Sequence, residues 1–488
     1  MSRYIRKVKT ASGATAVQII TKRGRERTGL EHIGSAHTQK ELEILLAHAR
    51  EKLHEGQASL FDERNPNLVA KTAHTRYLFD ILSSVYDLLG FDIVSDTAFR
   101  QLVCARIIEP SSKLDTVRIL EGLGLDAPSS SSLHRALKHC VENDYRSKIS
   151  KACLKHVDLT YYSLVLYDVT TLYFEVQKED DYRKPGLSKE RKLDPQITVG
   201  LLVDSSGFPL EIASFEGNKA EVHTMIPVLE AFKAAHSLKD IVVVADAAML
   251  SSKSLTSLEE LGYHYVVASR ISKCPYEIEE YRNELRHECF DKQIFDLEQT
   301  FNINSRRVKR RVIYQYREKR AKLDLSNIEK SLAKAQSMVA GKMPVKRNRF
   351  VSVSGARRSI NESLVESAKQ KAGIKGYVTN LDTDPQIIIN AYHQLFEVER
   401  SFRMSKSDLR ARPIFHRKRD SIEAHLTIVF TALAISRYIQ ERTGISIKKF
   451  VQKLSTVCDV VISVNGAEIP IPGEVSAEIA EIVSKLSD

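Results

Sequence analysis

Hydrophobic positions change their period along the chain, and the changes divide it into segments. Over residues 1–55, polar and apolar residues alternate in short runs such as Thr15-Ala16-Val17-Gln18-Ile19-Ile20, with a Ser12-Gly13 turn between runs and a helical pattern from about Gln39. Alternation marks half-buried strands, so this stretch is predicted to be a small α/β segment. Over 56–160 the period becomes helical: Tyr77, Leu78, Ile81, Leu82, Val85, Tyr86, Leu88 and Leu89 recur at helix spacing, and several short helices follow. One of these begins near Asp115 and ends in glycine, and the serines Ser129 to Ser132 can cap the next, which starts at Leu133. The pair reads either as a DNA-binding helix-turn-helix presenting Arg135 and Lys138, or as an ordinary pair in a small helical domain.

From Ser163 the pattern changes again. Ser163-Leu164-Val165-Leu166-Tyr167-Asp168 opens a buried strand, and two apolar runs, Gln196 to Asp204 and Phe208 to Phe215, flank Ser205-Ser206-Gly207 as a hairpin. A helix over about 221–235 leads to the strand Ile241 to Asp246, then a helix over about 252–261 leads to the strand Tyr263 to Ser269. Three meandering strands followed by alternating helices and strands predict an α/β, RNase H-like mixed sheet formed by 161–270 and 372–440. In it the first strand lies beside the fourth. Residues 271–371 interrupt this pattern as a basic insertion, with a strand at Arg311 to Tyr316 and a helix at Ser326 to Ala340. The core resumes at Gly376, continues in one long helix from about Asp384 to Leu409, and closes with the apolar helix Ile422 to Ile439, leaving 441–488 as a C-terminal tail.

Composition narrows the class. The chain has 488 residues, a mass of 55.2 kDa, 43% hydrophobic and 28% charged residues and a mean hydropathy of −0.25, the profile of a globular protein of several domains. The longest apolar run near the end, Leu426 to Ile435, is about half of what a membrane-spanning helix needs, and the first residues lack an apolar signal core. A cytoplasmic protein without membrane contact is expected. Six cysteines without a CxxC pair argue against a zinc site and against a disulfide framework.

The net charge of +11 is concentrated. Phe301 to Lys322 carries nine basic residues, Arg306, Arg307, Lys309, Arg310 and Arg311 among them, against Glu318; Arg400 to Arg419 carries eight, including Arg400, Arg403 and Lys406, against Asp408. These two windows exceed the whole chain's net charge, so the remainder is slightly acidic. Such concentration suits a polyphosphate partner, most simply nucleic acid; a solvated charged helix gives the same local pattern.

Three carboxylates stand out against this background. Asp168 follows Leu164-Val165-Leu166-Tyr167, Asp246 ends Val242-Val243-Val244-Ala245, and Glu399 sits in a helix amid positive charge. A carboxylate embedded in apolar β residues is costly unless paired, protonated or bound to a cation. Asp168 could bond Thr170 or Thr171, and Asp246 could cap a turn, but the strand order lets both converge at one edge of the sheet, which favours a shared divalent metal. On a continuous helix, Tyr392, Glu399, Arg403 and Lys406 share one stripe, as a metal ligand beside phosphate-binding groups or as a surface stripe with an i,i+4 pair. Glu221 reads as a ligand-orienting residue or a helix cap, His425 as packing, and His416 as either packing or a DNA contact.

Asp168, Asp246 and Glu399, with Tyr392, Leu395 and Lys406 at the spacing Tyr-2-Leu-3-Glu-6-Lys, resemble the DDE transposases of the IS4 group, and most of all its IS1634-type branch. That signature has Arg where this chain has Leu395, so one expected phosphate contact is absent at that position, leaving Arg400 or Arg403 to substitute. Tyr167-Asp168-Val169-Thr170-Thr171, the stretch Phe215 to Glu221, Val398 to Lys406 and Arg412 to Arg417 extend the likeness over about 160–440.

The resemblance implies that Asp168, Asp246 and Glu399 hold two Mg²⁺ ions, with Mn²⁺ an alternative, for cleavage of phosphodiester bonds at element ends and strand transfer into target DNA. It implies double-stranded DNA as partner, both terminal inverted repeats and target, and a homodimer in the synaptic complex. Tyr392, Arg400, Arg403 and Lys406 would contact phosphates near the scissile bond, and Arg306, Arg307, Lys309, Arg310 and Arg311 the flanking DNA. Two other readings stay open: a catalytically silent DNA-binding descendant of a transposase, and a metal-dependent nuclease without strand transfer.

Overall fold

The computed structural model describes residues 2–486 except 11–12, 24–25, 55–67, 158–162, 176–178, 187–193, 221–222, 237–240, 247–251, 270, 285–288, 304–305, 345–346, 355–356 and 465–466. Ser12 of the first expected turn and Glu221 lie outside the described residues. The chain divides into two compact units, Met1–Ala70 with Ile462–Ile469, and Lys71–Val461 with Pro470–Asp488.

In the first unit, the strands Ser2–Lys9, Thr15–Arg23 and Glu26–Ala36 form an antiparallel meander covered by the helix Gln39–His54. The alternation seen in the sequence puts Val17 and Ile19 on the covered face, where they pack with Ala49.

The second unit begins with helices Arg76–Leu88, Thr97–Ile108, Lys113–Gly122, Ser130–Glu142 and Tyr145–Val157. Their starts are set by short polar side chains. Asp96, Ser112 and Ser129 each accept a hydrogen bond from a backbone N–H three residues on, satisfying a donor that the helix itself cannot pair.

An eight-stranded mixed sheet follows, made of β1 (Ser163–Tyr173), β2 (Gln196–Val203), β3 (Pro209–Glu216), β4 (Ile241–Ala245), β5 (His264–Ser269), β6 (Ile294–Ile303), β7 (Arg306–Tyr316) and β8 (Ile374–Thr379). Their order across the sheet is β6-β7-β8-β5-β4-β1-β2-β3. β1 pairs antiparallel with β2 and parallel with β4, as the meander and the crossover helix require. β4 is buried along its whole length, which explains its unbroken Ile-Val-Val-Val-Ala run: a central parallel strand has apolar cover on both faces. The β2–β3 turn is fixed by Asp204, whose Oδ1 accepts from the backbone N–H of Ser206 and of Phe208 at 2.9 and 2.7 Å, and by Gly207 at φ +87°.

The basic segment 271–371 contributes β6 and β7 to this same sheet, with β8 between them and β5. It also holds a smaller core, in which Ile328 and Ala335 pack with Phe350 and Val365. With three strands added on that side, β1 and β4 lie in the middle of the sheet, not at its edge.

Six helices matter for the site: α1 (Met225–His236), α2 (Ser252–Glu260), α3 (Glu318–Val339), α4 (Pro385–His393), α5 (Leu395–Ser407) and α6 (Arg419–Thr443). α3 starts eight residues before the expected Ser326, so Lys319, Arg320 and Lys322 belong to its first turns. The single helix expected over 384–409 is two, because the ladder breaks at Gln394. Its N–H is shared between the carbonyls of Asn390 and Ala391 at 3.2 Å, and its own carbonyl accepts from Glu397 in a tighter three-residue turn. α6 is long and apolar enough to cross a membrane, but 94% of its apolar window is buried inside the protein, as in a core helix.

Candidate active site

The site is built on the carboxyl end of β4 and the middle of β1. The register pairs Leu166 with Val244, so two residues further along each strand come Asp168 and Asp246. Neighbouring strands lie about 4.8 Å apart, so this register brings the two carboxylate-bearing positions side by side. Asp168 is half-buried within the otherwise buried stretch 165–170, and Asp246, just past the end of β4, is exposed.

α5 crosses β1 and supplies the third carboxylate. Its apolar side, Leu395, Val398 and Phe402, is buried, which leaves Glu399 and Arg403 outside and half-exposes Lys406. The Lys406 ammonium donates to the hydroxyl of Thr170, which is on the same face of β1 as Asp168. Asp168, Thr170, Glu399, Phe402, Arg403, Lys406 and Arg412 thus line one open cavity of about 420 Å³. Glu399 and Arg403 are both exposed, and no ion pair joins them among the described residues.

Asp246 opens onto a second cavity of about 710 Å³, also lined by Arg320, Asp324, Arg349, Lys371, Lys375 and Tyr392. The Tyr392 hydroxyl donates to Asp246 Oδ1 at 3.3 Å. Burial, then the Asp246 charge, pushes the Tyr392 hydroxyl well above its ordinary pKa, so it stays a donor at neutral pH. Lys375 lies over the Tyr392 ring, its ammonium 4.2 Å from the centroid, and burial lowers its pKa.

The other expected contacts divide. Leu395 is buried, so the position usually held by Arg faces the core. Arg400 points away from Glu399: it pairs with Glu397 at 2.9 Å, which also binds Arg437 at 2.9 Å, and the group lines a separate cavity. Arg403 and Arg412 are the guanidinium groups beside Asp168 and Glu399.

On β7, alternation splits the basic run. Arg307 and Lys309 are exposed, whereas Arg310 is buried and bonded to Glu259 of α2 at 2.9 and 3.1 Å and to Thr256 at 2.9 Å. Its charge is neutralised inside the fold. Lys309 pairs with Glu298 at 2.8 Å and Arg311 with Asp296 at 2.7 Å, both acids on the adjacent strand β6. Of Arg306 only the backbone, within β7, is described.

Sequence reasoning missed Lys375, and it named Thr170 only as a bond partner for Asp168 and Arg412 only within a matching stretch. Lys375 carried the signal that exposed Asp168, a charged residue inside an apolar strand, but its neighbours in space come from other elements. Among the described residues, no three His, Cys, Asp or Glu side chains are close enough to hold a metal ion together. The donor chemistry nonetheless fits a hard divalent cation, with Asp168 and Glu399 sharing one cavity and Asp246 at the matching strand position.

Residues 161–435 match the family described as Transposase DDE domain, more than half of the chain. No curated protein sequence matches. Among solved structures, the cryo-EM structure of the piggyBac transposase synaptic complex with hairpin DNA is similar, with 10% identity, coverage of 78% of each chain and a TM-score of 0.40.

Proposed function

Because the chain belongs to the transposase DDE domain family, we propose that it cleaves phosphodiester bonds at the ends of an insertion element and transfers the freed strands into target DNA. The family implies an RNase H-like core and divalent metal ions; its IS4 group and IS1634-type branch are the reading that the Tyr392, Glu399 and Lys406 spacing supports. The observation that carries the proposal is the meeting of Asp168 and Glu399 with Arg403, Lys406 and Arg412 in one cavity. Carboxylates suit cations, and a rim of cations beside them suits a phosphodiester.

Asp168, Asp246 and Glu399 are the residues that would hold the metal, two Mg²⁺ or Mn²⁺ ions. When bound, such ions supply an activated attacking hydroxyl and stabilise the leaving oxygen. Lys406, steadied by Thr170, and Arg403 hold the phosphate by charge, and Tyr392 fixes the orientation of Asp246. Exposed Arg307 extends the positive surface to flanking DNA, whereas Lys309 beside it is paired with Glu298. Two element ends must be joined in one reaction, so a homodimer is the expected synaptic form, acting in the cytoplasm on the nucleoid.

The test is cleavage and strand transfer by purified protein with Mg²⁺ and DNA carrying the neighbouring element ends, comparing wild type with Asp246→Asn and Glu399→Gln. Joined products from wild type alone are expected. Cutting without joining would assign a nuclease, and binding without cutting by any variant would assign a silent DNA-binding descendant.

A further inference from the structure

Beside the carboxylate cavity lies another, of about 540 Å³, whose charged and titratable lining residues are all basic. Arg106, Lys113 and His134 reach it from the helical segment; Arg410, Arg412 and His416 reach it from the stretch after α5. No carboxylate among the described residues lines it. Of the nearest acids in sequence, Glu109 pairs with Arg118 at 2.5 Å and Asp408 with Lys448 at 3.1 Å, while Asp115 accepts from the hydroxyl of Ser112, a lining residue, at 2.9 Å.

Arg106 makes no hydrogen bond or ion pair among the described residues, and burial lowers its pKa to about 10. Lys113 is pulled down to about 8 by burial and by Arg106. Its ammonium donates to His416 Nδ1 at 3.0 Å, and burial holds that ring neutral, with a pKa of about 4, so that it can accept. Gathering cations in a partly desolvated cavity opposes folding, and a bound anion would offset that cost. Arg412 lines both this cavity and the one holding Asp168 and Glu399, so the two are neighbours along a single path.

We propose that this cavity binds a backbone phosphate of the DNA strand next to the one that is cut, so that the helical segment and the catalytic core grip one strand on either side of Arg412. The inference rests on the transposase reading. Free inorganic phosphate would satisfy the same charges, and the test separates the two sources.

The affinity of the full-length protein for a labelled DNA duplex is measured across a range of salt for wild type, Lys113→Gln, Arg410→Gln and Arg403→Gln, with unfolding midpoints recorded for each. Arg410 is exposed, so its replacement leaves folding intact. Each cavity variant is expected to weaken binding about tenfold, the usual scale for a lost charged hydrogen bond. Each should also flatten the salt dependence by about one counterion. Unchanged affinity and slope in both cavity variants, with Arg403→Gln impaired, would overturn the proposal alone. Calorimetric uptake of inorganic phosphate by wild type that Lys113→Gln abolishes, with duplex binding intact, would also overturn it in favour of a small-anion pocket. No duplex binding by wild type would overturn the transposase reading itself.

Discussion

Tyr392 donates its hydroxyl to Asp246 across the gap between α4 and the end of β4. The ring packs against Tyr377, at 5.0 Å between centroids, and the Lys375 ammonium, which also lies over Tyr377, so the side chain is held in a contiguous cluster. Tyr392→Phe keeps the ring and removes only the donor. Cleavage by this variant should fall roughly tenfold or more, the scale of one hydrogen bond to a charged group. The unfolding midpoint should barely move, and unchanged cleavage rates would show that Asp246 is oriented by other means.

The buried Arg310–Glu259 pair and the exposed Arg307 should behave oppositely. Glu259→Gln leaves the guanidinium buried without its counter-charge and should cost roughly 3 kcal/mol or more in urea unfolding. Its effect on the salt slope of DNA binding should be nil. Arg307→Gln should leave stability alone and reduce that slope by about one. A slope change from Glu259→Gln, or none from Arg307→Gln, would contradict the division of β7 into inner and outer charges.

Gly207 holds the β2–β3 turn at a left-handed φ, and a Cβ there would sit 2.5 Å from Arg437 Nη2 and 3.0 Å from Glu397 Cβ. Gly207→Ala should therefore strain the backbone and push Arg437 off Glu397, at a cost of about 1–3 kcal/mol. Thermal unfolding measures it, and an unshifted midpoint would mean that the turn relaxes freely.

His416 gives the fold a pH dependence with a definite sign. The unfolded chain takes up its proton near pH 6.5, but the folded ring, buried and facing Lys113, Arg106 and His134, resists protonation down to about pH 4. Its stabilising contribution is whole above pH 6.5 and is lost as pH falls towards 4, on the order of 2 kcal/mol after allowing for partial exposure. His416→Gln should flatten that part of the stability profile. Equal slopes in variant and wild type between pH 6.5 and 4 would refute the assignment.

The strand order of the core was legible because local patterns determine it. The unbroken run in β4, the Ser205-Ser206-Gly207 turn and the crossover helices each carry their own signal, and together they place β1 beside β4. The carboxylates were legible for the same reason, each being a charge within an apolar strand or a basic helix. What escaped the sequence depends on partners distant along the chain. The fate of Arg310 is decided by Glu259, and the charges of Lys309 and Arg311 are met by Glu298 and Asp296, acids lying outside the basic window. The break at Gln394 also left no mark, since its residues are all compatible with a helix and only the hydrogen bonding shows the change.

α6 runs through the middle of the second unit. Its Glu423 binds Arg146 of the helical segment at 2.8 Å and Ser214 of β3 at 2.8 Å, while its apolar residues are enclosed on all sides. The helical segment is therefore not a detachable cassette. Trimming it away, or exchanging it for a relative's to redirect the protein to other sequences, would strip a long greasy helix bare, and the outcome to expect from such grafts is precipitation in the tube, not altered specificity. Retargeting has to proceed by replacing side chains on an intact scaffold.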